Sequence, residues 1–310
     1  MTLSRFCGID YDVNALSRDE QYQLVLSWRE RGGQAALRDF NLSERDLALV
    51  DLTGADLRGT NLQRARLTGA TLTKSHLVEA NLTGADLEDA NLERADLSRA
   101  RLTGANLHQT NFIRANLSGA DLRLTNMLEA MLLGADLSQA DLRAAYLVRA
   151  SLKGATLTGA NLTGVNLAEV VLAGAVLSGA KNLSGLNFKR AQVARAILTG
   201  LNLAGSYFGE ASLDEADLSA VNLSGAFLGQ ARLTRANLSR ANLSGAFLVG
   251  AKLVGANLTN AILRGAILAH ANLSNANLTG VQWAGVDLTG ATMPNGDLYD
   301  PTVEFPKPPV

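Results

Sequence analysis

The side chains that could carry catalytic or metal chemistry are few and scattered. The histidines His76, His108 and His270 lie in different stretches of the chain, with no spacing that would bring them to one metal ion. Cys7 is the single cysteine, so it can form no internal disulfide, and no partner for it as a nucleophile is evident. These residue types predict neither a metal centre nor a covalent catalytic site.

Carboxylates, amides and glycines are numerous, but they follow a five-residue rhythm. Asp and Asn recur in ladders that could hold a cation through oxygen ligands, yet most of these ladders mix Asn with Asp. The glycines recur at the same interval, so they indicate bends of the chain rather than a phosphate-binding loop. We therefore expect a filled structure without a concave pocket, with no cofactor, no metal and no enzymatic activity.

The element that would position these residues is a pentapeptide, seen in its plainest form at Ala80-Asn81-Leu82-Thr83-Gly84. Its large apolar residue, the centre, recurs every five residues without a miss over 42–177 and again over 183–298. Alanine usually stands two residues before the centre, Asn or Asp stands between them, and glycine often follows two residues after. Such a short internal period is typical of a solenoid.

A period of five fits neither an α-helical stripe nor a collagen triplet, but it fits a short strand followed by a bend. In extended chain, alanine and the centre point the same way and the Asn or Asp between them points oppositely. Coils closed in this way would stack about 4.8 Å apart, with the centres inside.

The number of sides in a coil is indicated by outward apolar residues. Four of them lie twenty residues apart, and we call them the apolar column: Tyr207, Phe227, Phe247 and Ile267. Twenty residues are four pentapeptides, so a four-sided coil stacks the column, whereas a three-sided coil would scatter it. A two-sided coil is compatible with the same spacing.

This Ala-(Asn or Asp)-Leu-x-x array resembles the pentapeptide repeat family over roughly 260 of the 310 residues. At this copy number the motif is highly specific. The resemblance implies an all-β fold, a right-handed four-sided parallel β-helix of about 13 coils and about 60 Å in length. It also implies protein binding, since characterised members mostly bind other proteins, including some that bind DNA gyrase by imitating DNA.

The chain divides into three parts. Residues 1–39 form an N-terminal segment without clear pattern before residue 17, and then with a helix over 17–31 that starts in a Ser17–Glu20 capping box. Residues 40–298 form the β-helix, with one residue inserted near 178–183 that a bulge at a corner can absorb. The Pro-rich tail 299–310 can stop further stacking.

The predicted helix carries one face that could close the first coil. An end cap is the simpler interpretation, because an open coil shows unpaired backbone, and a partner-binding helix is the alternative. That face comprises Gln21, Leu24, Val25 and Trp28.

The second run of repeats carries the most distinctive surface. Between residues 222 and 286 there is no Asp or Glu, while five Lys or Arg are present. On a four-sided coil, Arg232 and Lys252 occupy the face after the apolar column, and Ile262 occupies the face before it. The candidate protein-binding residues are Tyr207, Phe227, Phe247, Ile267, Ile262, Arg232 and Lys252.

Other interpretations of this surface remain open. The aromatic side chains could stack and merely cover their own strands. A nucleic-acid or anionic-membrane surface is less favoured, because five charges spread over this length are few for it.

The leading functional hypothesis is a non-enzymatic rigid scaffold for protein–protein interaction, with self-association as a homodimer as one form of it. A DNA-mimicking modulator of a topoisomerase such as gyrase is disfavoured by a net charge of −1 and a basic second half. A passive structural spacer is the third hypothesis. No segment has the length of a membrane span and no secretory signal is evident, so we expect a reduced, cytoplasmic setting without nucleic acid.

Overall fold

In a computed structural model of the protein, the described residues are 3–6, 9–12, 15–30, 32 and 36–302. They fall into two compact units, residues 1–161 and 162–310. Unit 1 begins with two antiparallel strands, β1 at Leu3–Phe6 and β2 at Ile9–Asp12. The sequence predicted no element here, because strands of four residues are too short to show a period and depend on pairing for their conformation.

Helix α1 spans Arg18–Leu26. Its predicted capping box is confirmed: the Glu20 N–H donates to the Ser17 hydroxyl at 3.3 Å, and the Ser17 N–H donates to the Glu20 carboxylate at 2.8 Å. The hydroxyl of Ser17 also donates to that carboxylate, and this bond, the largest cause, lowers the pKa of Glu20.

The helix ends earlier than the predicted range of 17–31. The Ser27 N–H still donates to the Gln23 carbonyl at 3.1 Å, as in a helix, and the Ser27 hydroxyl donates to the same carbonyl at 2.9 Å. The Trp28 N–H then donates to the Val25 carbonyl, a three-residue bond that tightens the chain out of the α-helix. Residues 27–30 therefore form turns.

Helix α1 covers the amino-terminal end of the first coil. Val25 and Trp28 are each 1% exposed, and Gln21 is also buried. The Gln21 side-chain oxygen accepts the Asn41 N–H at 2.6 Å, and the Tyr22 hydroxyl donates to the Asp46 carbonyl at 2.7 Å. These bonds satisfy backbone groups that have no preceding coil to pair with, as an end cap requires.

The coils of unit 1 have four sides. Each outward residue forms a parallel bridge with the residue twenty positions later, so that one column runs from Asn41 through Asn61 and Asn81 to Asn161. The centres from Leu42 to Leu157 are all buried. A separation of twenty residues is four pentapeptides, which confirms the four-sided coil and eliminates the two-sided alternative.

Each corner is a hydrogen-bonded turn. At Leu82–Ala85, the Ala85 N–H donates to the Leu82 carbonyl at 3.0 Å, and Gly84 has a φ of +65°. A positive φ at the third turn residue is the signature of a type II turn and suits glycine. Arg64 has a φ of +54° at the equivalent corner one coil earlier, so the fold accepts other residues there.

The outward Asn and Asp residues stabilise the same turns. The Asn81 side-chain oxygen accepts the Thr83 N–H at 3.2 Å and the Thr83 hydroxyl at 2.7 Å. Its amide group donates to the Asn61 side chain one coil earlier at 3.3 Å. These ladders therefore have a structural role in turn formation and coil stacking.

Three hydroxyl residues, Ser75, Thr110 and Thr125, stand at inward positions that usually hold alanine, and each donates to a backbone carbonyl. Thr110 donates to Leu87 at 2.8 Å, and Ser75 donates to Leu72 at 2.7 Å. All three are buried, so each bond removes the cost of an unpaired polar group.

The inserted residue lies in unit 2. Bridge partners are 21 positions apart at Asn166–Asn187, and 20 apart again at Asn187–Tyr207. Asn182 has a φ of +61° between Lys181 and the buried centre Leu183. The prediction of a bulge at a corner was wrong in its position, because the turns before and after keep their hydrogen bonds and the extra residue adopts the left-handed conformation that Asn tolerates.

The last predicted centre, Leu298, is not inside the coil. The chain reverses at Met293–Asp297, where the Met293 N–H donates to the Asp297 carbonyl at 2.7 Å and Gly296 has a φ of +90°. Leu298 then pairs antiparallel with Thr292 and is 70% exposed. The regular repeat therefore ends before 298, and residues 303–310 of the Pro-rich tail lie outside the described residues.

One carboxylate in unit 1 makes stability depend on pH. The Arg123 guanidinium donates to Asp121 at 2.7 and 2.8 Å, and together with the Thr103 hydroxyl at 2.8 Å it lowers the pKa of Asp121 to about 2. In the unfolded chain this carboxyl has the ordinary, higher pKa. The ionised form is therefore stabilised by folding, and this stabilisation is lost as the pH falls from about 4 towards 2.

We expect Asp121→Asn to lower the free energy of unfolding by about 1–2 kcal/mol at pH 7 and by much less at pH 2.5. Urea unfolding at the two pH values would measure the difference. Asp89→Asn is the control, since Asp89 makes no ion pair with any described residue, and it should change little at either pH. An effect of Asp121→Asn that is equal at both pH values would exclude the electrostatic explanation.

Candidate interaction surface

The apolar column is one continuous row on a single face of unit 2. Parallel bridges link Tyr207 to Phe227, Phe227 to Phe247 and Phe247 to Ile267. The rings of Tyr207 and Phe227 are 4.8 Å apart and inclined by 2°, and those of Phe227 and Phe247 are 4.9 Å apart and inclined by 3°. The rings therefore repeat at the spacing of the coils and hold one another in place.

These aromatic side chains point outward. Tyr207 is 49% exposed, and Phe227 and Phe247 are each 39% exposed, whereas Ile267 is half-buried. The adjacent corner adds Val249, which is 40% exposed. Val249 was not among the predicted candidate residues, because the prediction rested on the outward strand positions and not on the corners that follow them.

The corner that precedes the column carries only glycine at its left-handed position. We call this row the glycine edge: Gly185, Gly205, Gly225, Gly245, Gly265 and Gly285. A Cβ built on Gly205, Gly225 or Gly245 would meet no atom within 4 Å, so the space around them does not demand glycine. Other corners of unit 2 hold Arg240, Glu215 and His270 at the same backbone conformation. The glycine edge thus leaves the left-handed position of this corner without side chains, while the position before it holds Ala204, Ser224, Ser244 and Arg264.

The corner on the other side of the column also contains glycine over part of its length. The first corner residues after Phe208 and Leu228 are Gly209 and Gly229. Together with the glycine edge they leave one position of each corner beside Tyr207 and Phe227 without a side chain, while Glu210 and Gln230 occupy the next position of the following corner.

Only some of the positively charged residues beside the column are without an ion-pair partner among the described residues. Arg232 lies in the neighbouring column with Lys252, as predicted, but it forms an ion pair with Asp214 at 2.9 Å. Lys252 and Arg264 make no ion pair with any described residue. Arg264 stands on the glycine-edge corner close to the column, and the candidate set had omitted it. Ile262 lies on the face before the column, as predicted, and is half-buried.

The two ends of the column differ in charge. Lys189 is exposed at the coil of Asn187, which precedes Tyr207 in the row. Asp287 follows Ile267 and accepts the Thr289 hydroxyl at 2.7 Å and the Thr289 N–H at 2.9 Å. The hydroxyl bond is the first cause that lowers the pKa of Asp287.

Within the described residues, the fold does not bring side chains together into a metal-binding cluster. No group of three or more His, Cys, Asp or Glu side chains among them could hold a metal ion. His108 lies 3.1 Å from Glu88, and both are turn residues at equivalent corners of adjacent coils in unit 1. Cys7 lies outside the described residues. In the part of the chain that the structure describes, no helix has the length and apolar character to cross a bilayer.

Comparison with known proteins identifies the repeats. The family model "Pentapeptide repeats" matches eight copies, at residues 51–89, 90–127, 129–159, 145–185, 157–200, 196–235, 231–268 and 266–300. No curated protein matches the chain.

Among solved structures, the chain is 35% identical to HetL, a pentapeptide repeat protein involved in heterocyst differentiation regulation in the cyanobacterium Nostoc. That match covers 77% of this chain and 91% of HetL, with a TM-score of 0.44. The chain is 36% identical to Rfr23 of Cyanothece over 34% of this chain and 60% of that one, with a TM-score of 0.20. It is 20% identical to QnrB1, a plasmid-mediated fluoroquinolone resistance protein, over 73% and 87% of the two chains, with a TM-score of 0.29.

Pentapeptide repeat proteins form right-handed, four-sided β-helices, and they are generally structural or interaction proteins rather than enzymes. Because the repeat model covers most of residues 51–300, this protein belongs to the pentapeptide repeat family.

Proposed function

We propose that the protein is a non-enzymatic scaffold that binds another protein through the apolar column and its rim. The observation that supports this proposal is the exposed row of stacked rings beside a glycine edge that the fold does not require. Exposed apolar patches with a polar or charged rim are typical of protein-binding sites.

The column also has the physical properties of a binding anchor. Large aromatic side chains dominate binding free energies at protein interfaces. Here Phe227 is stacked on both sides, at 4.8 and 4.9 Å, so its ring is already ordered before a partner binds. Binding would therefore lose little side-chain entropy.

The scaffold we envisage has an N-terminal cap in residues 1–39 and a Pro-rich tail from residue 299. Between them lies a right-handed β-helix of about 13 coils, ending just before residue 298. With a single cysteine, the protein needs no disulfide, and we propose that it works in the cytoplasm without a cofactor. Its binding site would comprise the apolar column with Ile262, Arg232 and Lys252.

The test is affinity capture from a lysate of the source cells with wild type and with Phe227→Asp/Phe247→Asp. The variant places two carboxylates in the centre of the apolar column, and each lost ring should reduce the binding free energy by at least about 2 kcal/mol if it is a hot spot. Proteins that bind through the apolar column should therefore no longer be captured. Asn222→Asp/Asn242→Asp is the matched control, because it changes the neighbouring face of the same coils.

Circular dichroism would verify that both double variants are folded. If wild type, column variant and control capture the same proteins in the same amounts, the apolar column is not a binding site.

A further inference from the structure

We infer that the partner accommodated by the apolar column is a second copy of this chain, packed face to face with the two columns antiparallel. This inference rests on the function proposed above for the same face. Three features of unit 2 support it: the repeat of the column, the charge at its two ends, and the glycine edge.

The repeat makes the face complementary to itself. Its rings rise by 4.8 and 4.9 Å, which is the step from one coil to the next. A second copy has the same step, so contacts made at one coil recur at the next without loss of register. Proteins with other periods would match such a row at one or two coils only.

The length of the apolar run fixes the register. Four apolar residues are bounded by Asn187 at one end and Asp287 at the other. Antiparallel columns overlap fully when a two-fold axis passes between Phe227 and Phe247. Phe227 of one copy then faces Phe247 of the other, and Tyr207 faces Ile267.

The charge at the ends selects the antiparallel orientation. In the register above, the coil that carries Lys189 lies opposite the coil that carries Asp287, twice in the dimer. In a parallel dimer, Asp287 would meet Asp287 and the two Lys189 side chains would lie at the same level on opposite sides of the interface, so no opposite charges would pair and the like charges of Asp287 would oppose association. Lys189 makes no ion pair with any described residue, so it is available for the contact.

The glycine edge allows the two faces to approach. In the antiparallel dimer the glycine edges of the two copies lie side by side, so Gly225 of one copy is near Gly245 of the other. Long side chains at these positions, such as the arginines found at other corners, would hold the faces apart. Arg264 also stands at this corner and makes no ion pair with any described residue. In the dimer it would lie at the level of the second copy's Tyr207. The Arg264 of the second copy would be three coils away, so the two arginines would not repel each other.

The exposed area indicates a reversible dimer. A fully buried aromatic side chain contributes about 150–250 Å², so the exposed parts of the three rings amount to on the order of 200–300 Å² per copy. A stable interface of standard size buries about 800 Å² per partner. Val249, Ile267 and the flanking backbone add to the rings, and we expect association in the micromolar range or weaker.

The experiment is sedimentation velocity at about 5–500 µM with wild type, Lys189→Asp, Asp287→Lys and the double exchange of both charges. We expect wild type to shift from monomer to dimer with concentration. Each single reversal places like charges at both symmetric contacts and should weaken dimerisation about tenfold. The double exchange restores opposite charges and should recover the wild-type affinity to within about threefold.

Orientation is tested separately in a Cys7→Ser background. With a bismaleimide cross-linker, the double variant Lys189→Cys/Asp287→Cys should form covalent dimers, whereas either single variant should not. Covalent dimers from the single variants would show a parallel arrangement and overturn the inference.

A wild type that stays monomeric at the highest concentration also overturns the inference. In that case, loss of captured protein with Phe227→Asp/Phe247→Asp would leave the scaffold function standing with a different partner. Dimers that are unaffected by that double variant would place self-association elsewhere and contradict the use of this face.

Discussion

Replacing Trp28 with alanine is expected to lower the free energy of unfolding by about 3–5 kcal/mol and to open the first coil at its amino-terminal end. Trp28 is 1% exposed and lies with Val25 between α1 and the coil. Truncation would leave a cavity under the helix, where the Gln21–Asn41 and Tyr22–Asp46 bonds depend on the same docking. In a repeat array each coil contacts only its neighbours, so we expect the loss to be concentrated in the first coils.

Urea unfolding would measure the total effect, and amide hydrogen exchange would show whether the coils next to the cap lose protection first. Leu26→Ala is the matched control, since Leu26 belongs to the same helix but is 43% exposed, and it should cost only about 1 kcal/mol. Equal effects of the two substitutions would show that α1 is not a cap and would favour the alternative of a partner-binding helix.

The regular part of the fold could be predicted because its determinants are local. The alternation of Ala80, Asn81 and Leu82 fixes which side chains point inward, and the structure confirms it at each centre of unit 1 from Leu42 onward. The four sides of each coil were predicted from outward apolar residues that are twenty positions apart. The parallel bridges confirm this number, because they join residues with the same separation. The capping box was predictable for the same reason, since Ser17 and Glu20 form one turn of helix.

The irregular parts depend on contacts between distant residues or on single backbone conformations. The β1–β2 pair has no periodic signal. The inserted residue could have been accommodated at several positions, and only the structure shows that Asn182 adopts the left-handed conformation. Leu298 keeps the five-residue rhythm, but Pro294 and Gly296 reverse the chain before it. A centre at the right interval is thus insufficient when the turn ahead of it changes.

The apolar column of the candidate surface could be predicted from the sequence, whereas the charged residues beside it were predicted less well. The ion pair between Arg232 and Asp214 joins residues on neighbouring coils and depends on side-chain conformation, so counting charges overestimated the free positive rim. The glycine edge was visible in the sequence, because Gly205, Gly225 and Gly245 are twenty apart. Its meaning required the structure, which shows that arginine and glutamate adopt the same corner conformation elsewhere.

Replacing Phe208 with alanine is expected to lower the free energy of unfolding by about 3–5 kcal/mol, because the ring is fully buried inside unit 2. It stacks on Phe188 with centroids 4.6 Å apart and planes inclined by 6°, so truncation removes both the ring's burial and one aromatic pair. Phe208→Leu keeps most of the volume and should cost less than about 1.5 kcal/mol. Thermal and urea unfolding of the three proteins would measure these differences.

Phe227→Ala is the control that connects this prediction with function. Phe227 lies nineteen positions later, in the outward row, and its stacking on Tyr207 and Phe247 should contribute only about 1 kcal/mol to folding. A large loss for Phe208→Ala with a small loss for Phe227→Ala means that the outer rings are not needed to hold the coils together. If Phe227→Ala costs as much as Phe208→Ala, the column serves to cover its own strands, and the case for a binding surface loses its physical basis.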